Sequence, residues 1–260
     1  MLIEVGVFLT ILLAAMLGSM IGVGGGFLII PSLVLLLNLP VHKAIALSLL
    51  SIVSVSLSAV TTYSLSEHID YKLGLLLETT SIIGAFSGAR ISLMLESRVL
   101  IILFSIALFY VSYRMLTNMR IEAKPREIRA SYNRLAFGIV CAYVAGLLSG
   151  LLGIGGGIVK VPIMVLVLNV PMKLAVGTSM FMISLTSVSG SYVYFQSGVI
   201  DYYLASVAII GAFIGAQVGS RLGLRIRGVI LRRIFGFITV SYTHLRAHET
   251  EADLVCRLLL

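Results

Sequence analysis

One glycine pattern occurs twice in this chain, and it limits the possible folds more than any other feature of the sequence. Four glycines and a proline keep the same spacing in two copies that lie 131 residues apart: Gly22, Gly24, Gly25, Gly26 and Pro31, then Gly153, Gly155, Gly156, Gly157 and Pro162. The correspondence continues without a gap as far as Arg90 and Arg221. The repeats of solenoid proteins are about 20 to 50 residues long, so this period is too long for a solenoid. The chain therefore uses one fold unit twice.

The segments around both glycine groups are too apolar for a water-soluble protein. Hydrophobic residues make up 59% of the 260 residues and charged residues only 12%, whereas soluble domains carry about 25% charged residues. An apolar run of about 20 residues can cross a bilayer as a helix, and the chain has several such runs. We therefore expect an all-α polytopic membrane protein that has the lipid bilayer as a partner.

Five apolar segments can be recognised in each unit. In the first unit they span residues 2–21, 27–38, 42–65, 71–95 and 99–116, and in the second 135–152, 158–169, 173–196, 202–224 and a fifth that starts near residue 228. These segments predict a first membrane repeat at 1–117, a polar linker at 118–134 and a second repeat at 135–240. Asp70 and Asp201 precede the fourth segment of each unit and are predicted to cap it as a helix.

The last twenty residues do not fit the repeat. Where the final apolar segment should continue, residues 241–260 begin with the polar run SYTHLRAHET. Such a run is typical of a translated cloning adapter, so we leave it out of the fold and expect a truncated last helix.

The distribution of Lys and Arg predicts how the segments cross the membrane. With five segments in each unit and a cytoplasmic linker, thirteen of these residues lie inside and three outside; with four segments the numbers are seven and nine. Cytoplasmic loops normally carry the excess of positive charge. We therefore expect two inverted units of about five helical segments each in the cell (inner) membrane, with both termini outside. The net charge of +8 then needs no nucleic-acid partner.

Six tyrosines lie near the ends of the predicted spans: Tyr63, Tyr71, Tyr192, Tyr194, Tyr202 and Tyr203. Tyrosine is enriched where a membrane protein meets the polar headgroups. We therefore expect these side chains to form an interfacial belt.

The glycine triplets predict either a binding site or close helix packing. Within hydrocarbon, irregular backbone is tolerated only where protein buries it or where it lines a wet cavity. Each break leaves amide N–H groups at the start of a short half-helix, and such a helix end suits an anion. Transporters with inverted repeats bring two half-helix ends together near the membrane midplane. The alternative is close packing by small residues, which is our interpretation of Gly18, Gly22, Gly84 and Gly88.

These motifs resemble the sulfite exporter TauE/SafE family. The resemblance rests on the twin Gly-x-Gly-Gly-Gly…Pro motifs, on the run Ala175-Val176-Gly177-Thr178-Ser179, and on the repeated Gly-Ala…Gly motifs that begin at Gly84 and Gly215. It covers residues 1 to about 240 and implies a multi-pass transporter of small anions such as sulfite, sulfonates or sulfoacetate. The first unit departs from the Gly-Thr-Ser pattern and reads Ala46-Leu47-Ser48, which implies two unequal half-sites.

Two charged residues within the apolar segments have competing interpretations. Lys160 follows the second triplet, while its repeat partner is Ile29. It is either the counter-charge of a bound anion or a lysine that extends its ammonium group to water. Glu78 pairs with Ile209 in the repeat. It could carry a coupling proton, and the alternative is a carboxylate at a cavity or at the membrane surface.

The sequence thus predicts a secondary transporter of small anions, with an anion channel or a structural membrane subunit as alternatives. The predicted substrate-binding set is Gly22, Gly24, Gly25, Gly26, Pro31, Ser48, Gly153, Gly155, Gly156, Gly157, Lys160, Pro162, Thr178 and Ser179. The hydroxyls in this set are either donors to an oxyanion or ordinary helix-packing groups. No metal-ligand spacing, nucleophile–base pair or Walker-type loop occurs, so we expect no enzyme, metal or cofactor. A homo-oligomer is left open.

Overall fold

The computed structural model describes residues 2–117, 132–168 and 170–225. Within these ranges the chain forms nine α-helices and no strands: α1 Leu2–Ile21, α2 Gly26–Leu35, α3 Val41–Leu65, α4 Tyr71–Met94, α5 Ser97–Thr117, α6 Tyr132–Leu152, α7 Gly157–Leu166, α8 Met172–Gln196 and α9 Tyr202–Arg225. The predicted last segment near residue 228, the tail 241–260 and most of the predicted linker lie outside the described residues. The all-α fold is confirmed.

The helix boundaries lie within a few residues of the predicted segments, because the residues that start helices have strong local effects. The Asp70 carboxylate accepts a hydrogen bond of 3.0 Å from Leu73 N and caps α4. Asp201 accepts in the same way from the backbone N–H groups of Tyr203 and Leu204 and caps α9. Both predicted caps are confirmed.

Each unit begins with a helical hairpin of unequal arms. A β-carbon on Gly25 would lie 2.7 Å from Ala14 O, and one on Gly6 would lie 2.9 Å from Leu37 Cδ2. The chain therefore turns back at the glycines, and α2 returns to the side on which α1 begins. With ten residues, α2 is about 15 Å long, half the thickness of the hydrocarbon core of about 30 Å. The hairpin of α6 and α7 repeats this arrangement.

The two units are inverted relative to each other. Helices α3 and α8 are equivalent in the repeat, and they pack together along their length. A β-carbon on Gly177 would lie 3.2 Å from Tyr63 Cβ, whereas one on Gly190 would lie 3.4 Å from Leu49 Cδ1. The start of α8 thus meets the end of α3, so equivalent helices run in opposite directions. The predicted inverted repeat is confirmed.

The two units are interlocked, because the fourth helix of each unit packs against helices of the other unit. Helix α9 packs on α1 and α3, and α4 packs on α6 and α8. Glycines allow these contacts: a β-carbon on Gly215 would lie 2.2 Å from Leu12 O, and one on Gly84 would lie 2.3 Å from Tyr143 O. We call α1, α2, α3 and α9 the first bundle, and α4, α6, α7 and α8 the second bundle. Both bundles contain helices from both sequence repeats.

The outer surface of the bundles suits lipid. Four of the described helices, α1, α3, α8 and α9, are long and apolar enough to cross a membrane. Large apolar side chains on several helices are exposed, including Leu13, Ile83, Ile106, Ile210 and Phe213. Such a surface is far more apolar than the scattered hydrophobic residues of a soluble monomer.

Two of the six tyrosines are not at the surface. Tyr63 and Tyr194 are at most 2% exposed. The Tyr63 hydroxyl donates to Ser19 O at 3.0 Å, and the Tyr194 hydroxyl donates to Ser92 Oγ at 2.7 Å. The belt prediction is wrong for this pair, because proximity to a helix end does not specify which face of the helix a residue occupies. Tyr71, Tyr192, Tyr202 and Tyr203 are exposed.

Candidate functional site

The two glycine breaks have a backbone shape that favours glycine. Six of their glycines have a positive φ: Gly22 (80°), Gly24 (86°), Gly25 (85°), Gly153 (67°), Gly155 (86°) and Gly156 (73°). Residues with a β-carbon rarely adopt this left-handed conformation, whereas glycine adopts it at little cost. The successive left-handed residues turn the chain back on itself within each hairpin.

The two breaks lie against each other in the interior of the protein. A β-carbon on Gly26 would lie 2.4 Å from Gly153 O, and one on Gly157 would lie 2.6 Å from Gly22 O. All of these glycines are buried. Residues that are far apart in the sequence therefore form one compact site where the two bundles meet.

Two serines link the breaks in a symmetrical way. Ser48 Oγ donates to Gly153 O, and Ser179 Oγ donates to Gly22 O, both at 2.8 Å. Each serine thus binds the first glycine of the other unit's break. These bonds occupy the hydroxyl protons of Ser48 and Ser179 in this conformation, and the assignment of both residues to substrate binding stays a prediction.

The half-helices α2 and α7 begin at this contact. Their N-caps, Gly25 and Gly156, have left-handed backbone and provide no side-chain hydrogen bond. The first N–H groups of a helix have no acceptor within the helix, and the helix dipole makes this end positive. Two such ends therefore open beside each other in a buried region, which is an arrangement suited to an anion.

The other members of the predicted set lie around this contact in different roles. Pro31 and Pro162 are inside α2 and α7. Thr178 Oγ1 accepts a hydrogen bond of 2.9 Å from Asp70 N, so it holds the connection between α3 and α4. Pro31 also lines an apolar groove with Val34, Ile45 and Phe104. This groove has no charged lining residue and is unsuited to an anion.

Lys160 and Glu78 form a buried ion pair. Sequence reasoning treated the two residues separately and did not predict that they pair. Lys160 Nζ lies 2.8 Å from Glu78 Oε2, and the two side chains are each 1% exposed. Thr186 accepts a hydrogen bond from Lys160 and donates one to Glu78. The alternatives of a lysine extended to water and of a carboxylate at the membrane surface are therefore wrong. Helices α4, α7 and α8 enclose the pair within the second bundle.

The ion pair has no counterpart in the other half of the protein. At the positions equivalent to Lys160, Glu78 and Thr186, the repeat has apolar residues: Ile29, Ile209 and Val55. The two halves therefore share a backbone design but differ in charge near their glycine breaks.

Sequence reasoning missed Ser149, which lies beside the second break. Its hydroxyl is buried and has no hydrogen-bond partner among the residues that the structure describes. A β-carbon on Gly156 would lie 3.4 Å from Ser149 Cβ, so the serine is next to the start of α7. The sequence did contain a signal for Ser149: the equivalent position in the first unit is Gly18, so the second unit has a hydroxyl where the first has no side chain. Thr186 gave no such signal, since hydroxyl residues are frequent in these helices.

The sequence model of the family described as "Sulfite exporter TauE/SafE" matches residues 7–243. The chain is 34% identical over 226 residues to "Probable membrane transporter protein YunE" of Bacillus subtilis, covering 77% of this chain and 81% of the relative. It is 31% identical over 196 residues to "Probable membrane transporter protein MJ0441" of Methanocaldococcus jannaschii, covering 73% and 72%. No solved structure is significantly similar to it. The chain therefore belongs to the sulfite exporter TauE/SafE family, whose members are membrane transporters and not enzymes.

Proposed function

We propose that this protein is a secondary transporter of small anions, above all sulfur oxyanions or organosulfonates. One observation carries the proposal: the positive ends of α2 and α7 open beside each other at the contact of the two glycine breaks. The family description names sulfite, which favours sulfur oxyanions among the anions that this site suits. The names of the two relatives give no substrate.

The second break is the stronger half of the proposed site. Lys160 adds a positive charge on α7, three residues after Gly157. Ser149 adds a buried hydroxyl without a partner in the described residues, and a hydroxyl can donate to an oxyanion. The first unit has Ile29 and Gly18 at these positions.

The interlocked fold suggests which parts move during alternating access. Rocking one sequence repeat against the other would separate α1 from α9 and α4 from α6, which in the described residues pack extensively through close glycine contacts. The two bundles instead meet along α3 and α8 and at the glycine breaks. We propose that the first bundle rocks against the second and exposes the anion site to each side in turn.

The orientation in the membrane is part of the same proposal. A cytoplasmic linker and outside termini put Glu67 inside the cell and Glu96 outside. Both are exposed, so each can be replaced by cysteine in a chain with Cys141→Ala and Cys256→Ala. A membrane-impermeant maleimide added to intact cells should label Glu96→Cys and spare Glu67→Cys. The reverse pattern would contradict the orientation.

A binding and flux assay tests the anion site. Sulfite, sulfate or thiosulfate, but not chloride, should raise the melting temperature of the purified protein, because a ligand of the folded state stabilises it by mass action. In proteoliposomes, radiolabelled forms of the same anions should enter with saturable kinetics. Flux that does not saturate would favour a channel.

Two glycine variants separate a role in binding from backbone strain. Gly156→Ala introduces a β-carbon at a residue with φ 73°, and this β-carbon would lie 3.0 Å from Ala145 O. Gly198→Ala introduces one at a residue with a similar φ of 70°, where no atom would lie within 4 Å of it. We expect folded Gly156→Ala to lose anion stabilisation and flux, and Gly198→Ala to keep both. Normal flux through Gly156→Ala would contradict the proposed site.

A further inference from the structure

We propose that the Glu78–Lys160 pair makes a proton the second substrate of this transporter, so that one proton moves with each monovalent anion. This inference rests on the proposed anion transport and adds its coupling ion. The pair consists of Lys160 Nζ at 2.8 Å from Glu78 Oε2, bridged by the Thr186 hydroxyl. Ser81 Oγ lies 3.2 Å from Thr186 Oγ1 and completes the cluster.

The other half of the fold is built without such a pair. Replacing a buried ion pair with apolar residues is often neutral or stabilising, because both charges must leave water. The inverted repeat provides the comparison: Ile29, Val55 and Ala212 occupy the positions of Lys160, Thr186 and Ser81 and are buried, whereas Ile209, at the position of Glu78, is 40% exposed. The same backbone is therefore built without charges in one half, and a different reason must keep them in the other.

The pair lies close to the contact of the two breaks. Lys160 is in the first turn of α7, whose first residue Gly157 has Ile183 as a neighbour: a β-carbon there would lie 2.7 Å from Ile183 Cδ1. Thr186 is one helical turn beyond Ile183 on α8. An anion at the start of α7 would thus approach Lys160 within about one turn of helix and compete with Glu78 for it.

Charge balance then requires a proton. An unoccupied pair has one positive and one negative charge and is neutral overall. An anion on Lys160 would leave the Glu78 carboxylate as a second negative charge in a buried region, which is costly. A proton taken from water onto a Glu78 carboxylate oxygen restores neutrality. When the anion leaves on the other side, Glu78 releases this proton to water and binds Lys160 again.

Among the described residues, Lys160 is the ionisable side chain that pairs with Glu78. Among the side chains that the structure describes, the other ionisable groups on α4 are Tyr71, Lys72 and Arg90, and those on the helices packed around Glu78 are Lys160 on α7, Cys141 and Tyr143 on α6, and Lys173, Tyr192 and Tyr194 on α8. Of these, Lys160 alone forms a hydrogen bond or ion pair with Glu78. The titration of Glu78 is therefore tied to the occupancy of Lys160.

The experiment compares two kinds of flux in proteoliposomes that contain the full chain. The probes are radiolabelled sulfite, thiosulfate and methanesulfonate. Exchange of labelled for unlabelled anion at equal pH requires anion transport but no net proton movement. At zero membrane potential, accumulation above the external concentration in vesicles that are alkaline inside requires coupling to protons. One proton for each methanesulfonate should give about tenfold accumulation for each unit of pH gradient, since one pH unit corresponds to a factor of ten.

Variants of the Glu78–Lys160 pair should affect anion exchange and pH-driven accumulation differently. Glu78→Gln, a permanently neutral side chain, should retain exchange and lose accumulation driven by pH. The double variant Glu78→Ile with Lys160→Ile copies the residues Ile29 and Ile209 of the first bundle, so it should remain folded by size-exclusion chromatography and thermal unfolding while losing both activities.

The outcomes distinguish the coupling from the transport function. Exchange without any effect of the pH gradient in the unaltered protein would overturn proton coupling and leave the anion transporter standing. Accumulation driven by pH in Glu78→Gln, or in the double isoleucine variant, would overturn the role of the pair. If the unaltered protein moves none of the three anions in either assay, both proposals are overturned.

Discussion

At the scale of single residues, two serines show how the repeat is used across the molecule. Ser48 and Ser179 are equivalent in the repeat, and each donates to a glycine carbonyl of the opposite unit. Each break is thus bound by a serine of the other unit. Lys160, Glu78 and Ser149 depart from this symmetry, and the proposed chemistry of the site depends on them.

We expect Ser179→Ala to lower the stability of the protein by about 1 to 3 kcal/mol, because the buried Gly22 carbonyl would lose its hydrogen bond. For a chain of this size the melting temperature should fall by about 2 to 4 °C for each kcal/mol. Thermal unfolding in detergent measures the change. Ser206→Ala is the control, since Ser206 is exposed and donates to Tyr203 O within its own helix. Equal melting temperatures for the two variants would show that the bond across the breaks contributes little.

At the scale of helices, the sequence predicted the elements well but not all of their faces. Proline, aspartate and glycine set the boundaries through local interactions, so α3, α4, α8 and α9 begin within one residue of the expected positions. The side on which a buried residue lies depends on neighbouring helices. This is why Tyr63 and Tyr194 were assigned to the membrane surface although both are enclosed.

The contact between α4 and α6 gives a prediction at this scale. A β-carbon on Gly146 would lie 2.0 Å from Ser81 O, so Gly146→Ala should push the two helices apart and prevent correct folding. On the same helix, a β-carbon on Gly138 would have its nearest neighbour, Leu77 Cδ2, at 3.4 Å. Gly138→Ala should therefore be tolerated or should stabilise α6 by up to about 1 kcal/mol, because alanine favours helix. Size-exclusion profiles and melting temperatures compare the two, and a normal profile for Gly146→Ala would contradict the close contact.

At the scale of the whole molecule, the exchange of fourth helices defines two bundles that do not coincide with the two repeats. If the first bundle moves against the second, a bond across their interface should stop transport, whereas a bond inside one bundle should not. The structure provides two Leu–Gly pairs with the same separation for this comparison.

Disulfide cross-linking of these pairs tests the moving parts, in a chain whose own cysteines are replaced. Leu49 and Gly190 join the bundles, and Leu77 and Gly138 lie within the second; in both pairs a glycine β-carbon would be 3.4 Å from a leucine methyl. Oxidation of Leu49→Cys/Gly190→Cys should abolish anion flux until a reductant is added. Oxidation of Leu77→Cys/Gly138→Cys should leave flux unchanged. Full flux through the oxidised first pair would mean that the α3–α8 interface does not move.

The sequence alone determined the repeat, the membrane environment, the helix boundaries and the family. These properties follow from hydropathy, from the residues that start and break helices, and from the spacing of two glycine motifs. All of these can be read directly from the order of residues in the chain. Only the tertiary structure decided that the breaks meet, that the units exchange helices, and that Lys160 on α7 and Glu78 on α4 form one ion pair. Contacts between residues 82 positions apart depend on how helices pack, and no local pattern in the chain specifies which buried side chains will face each other.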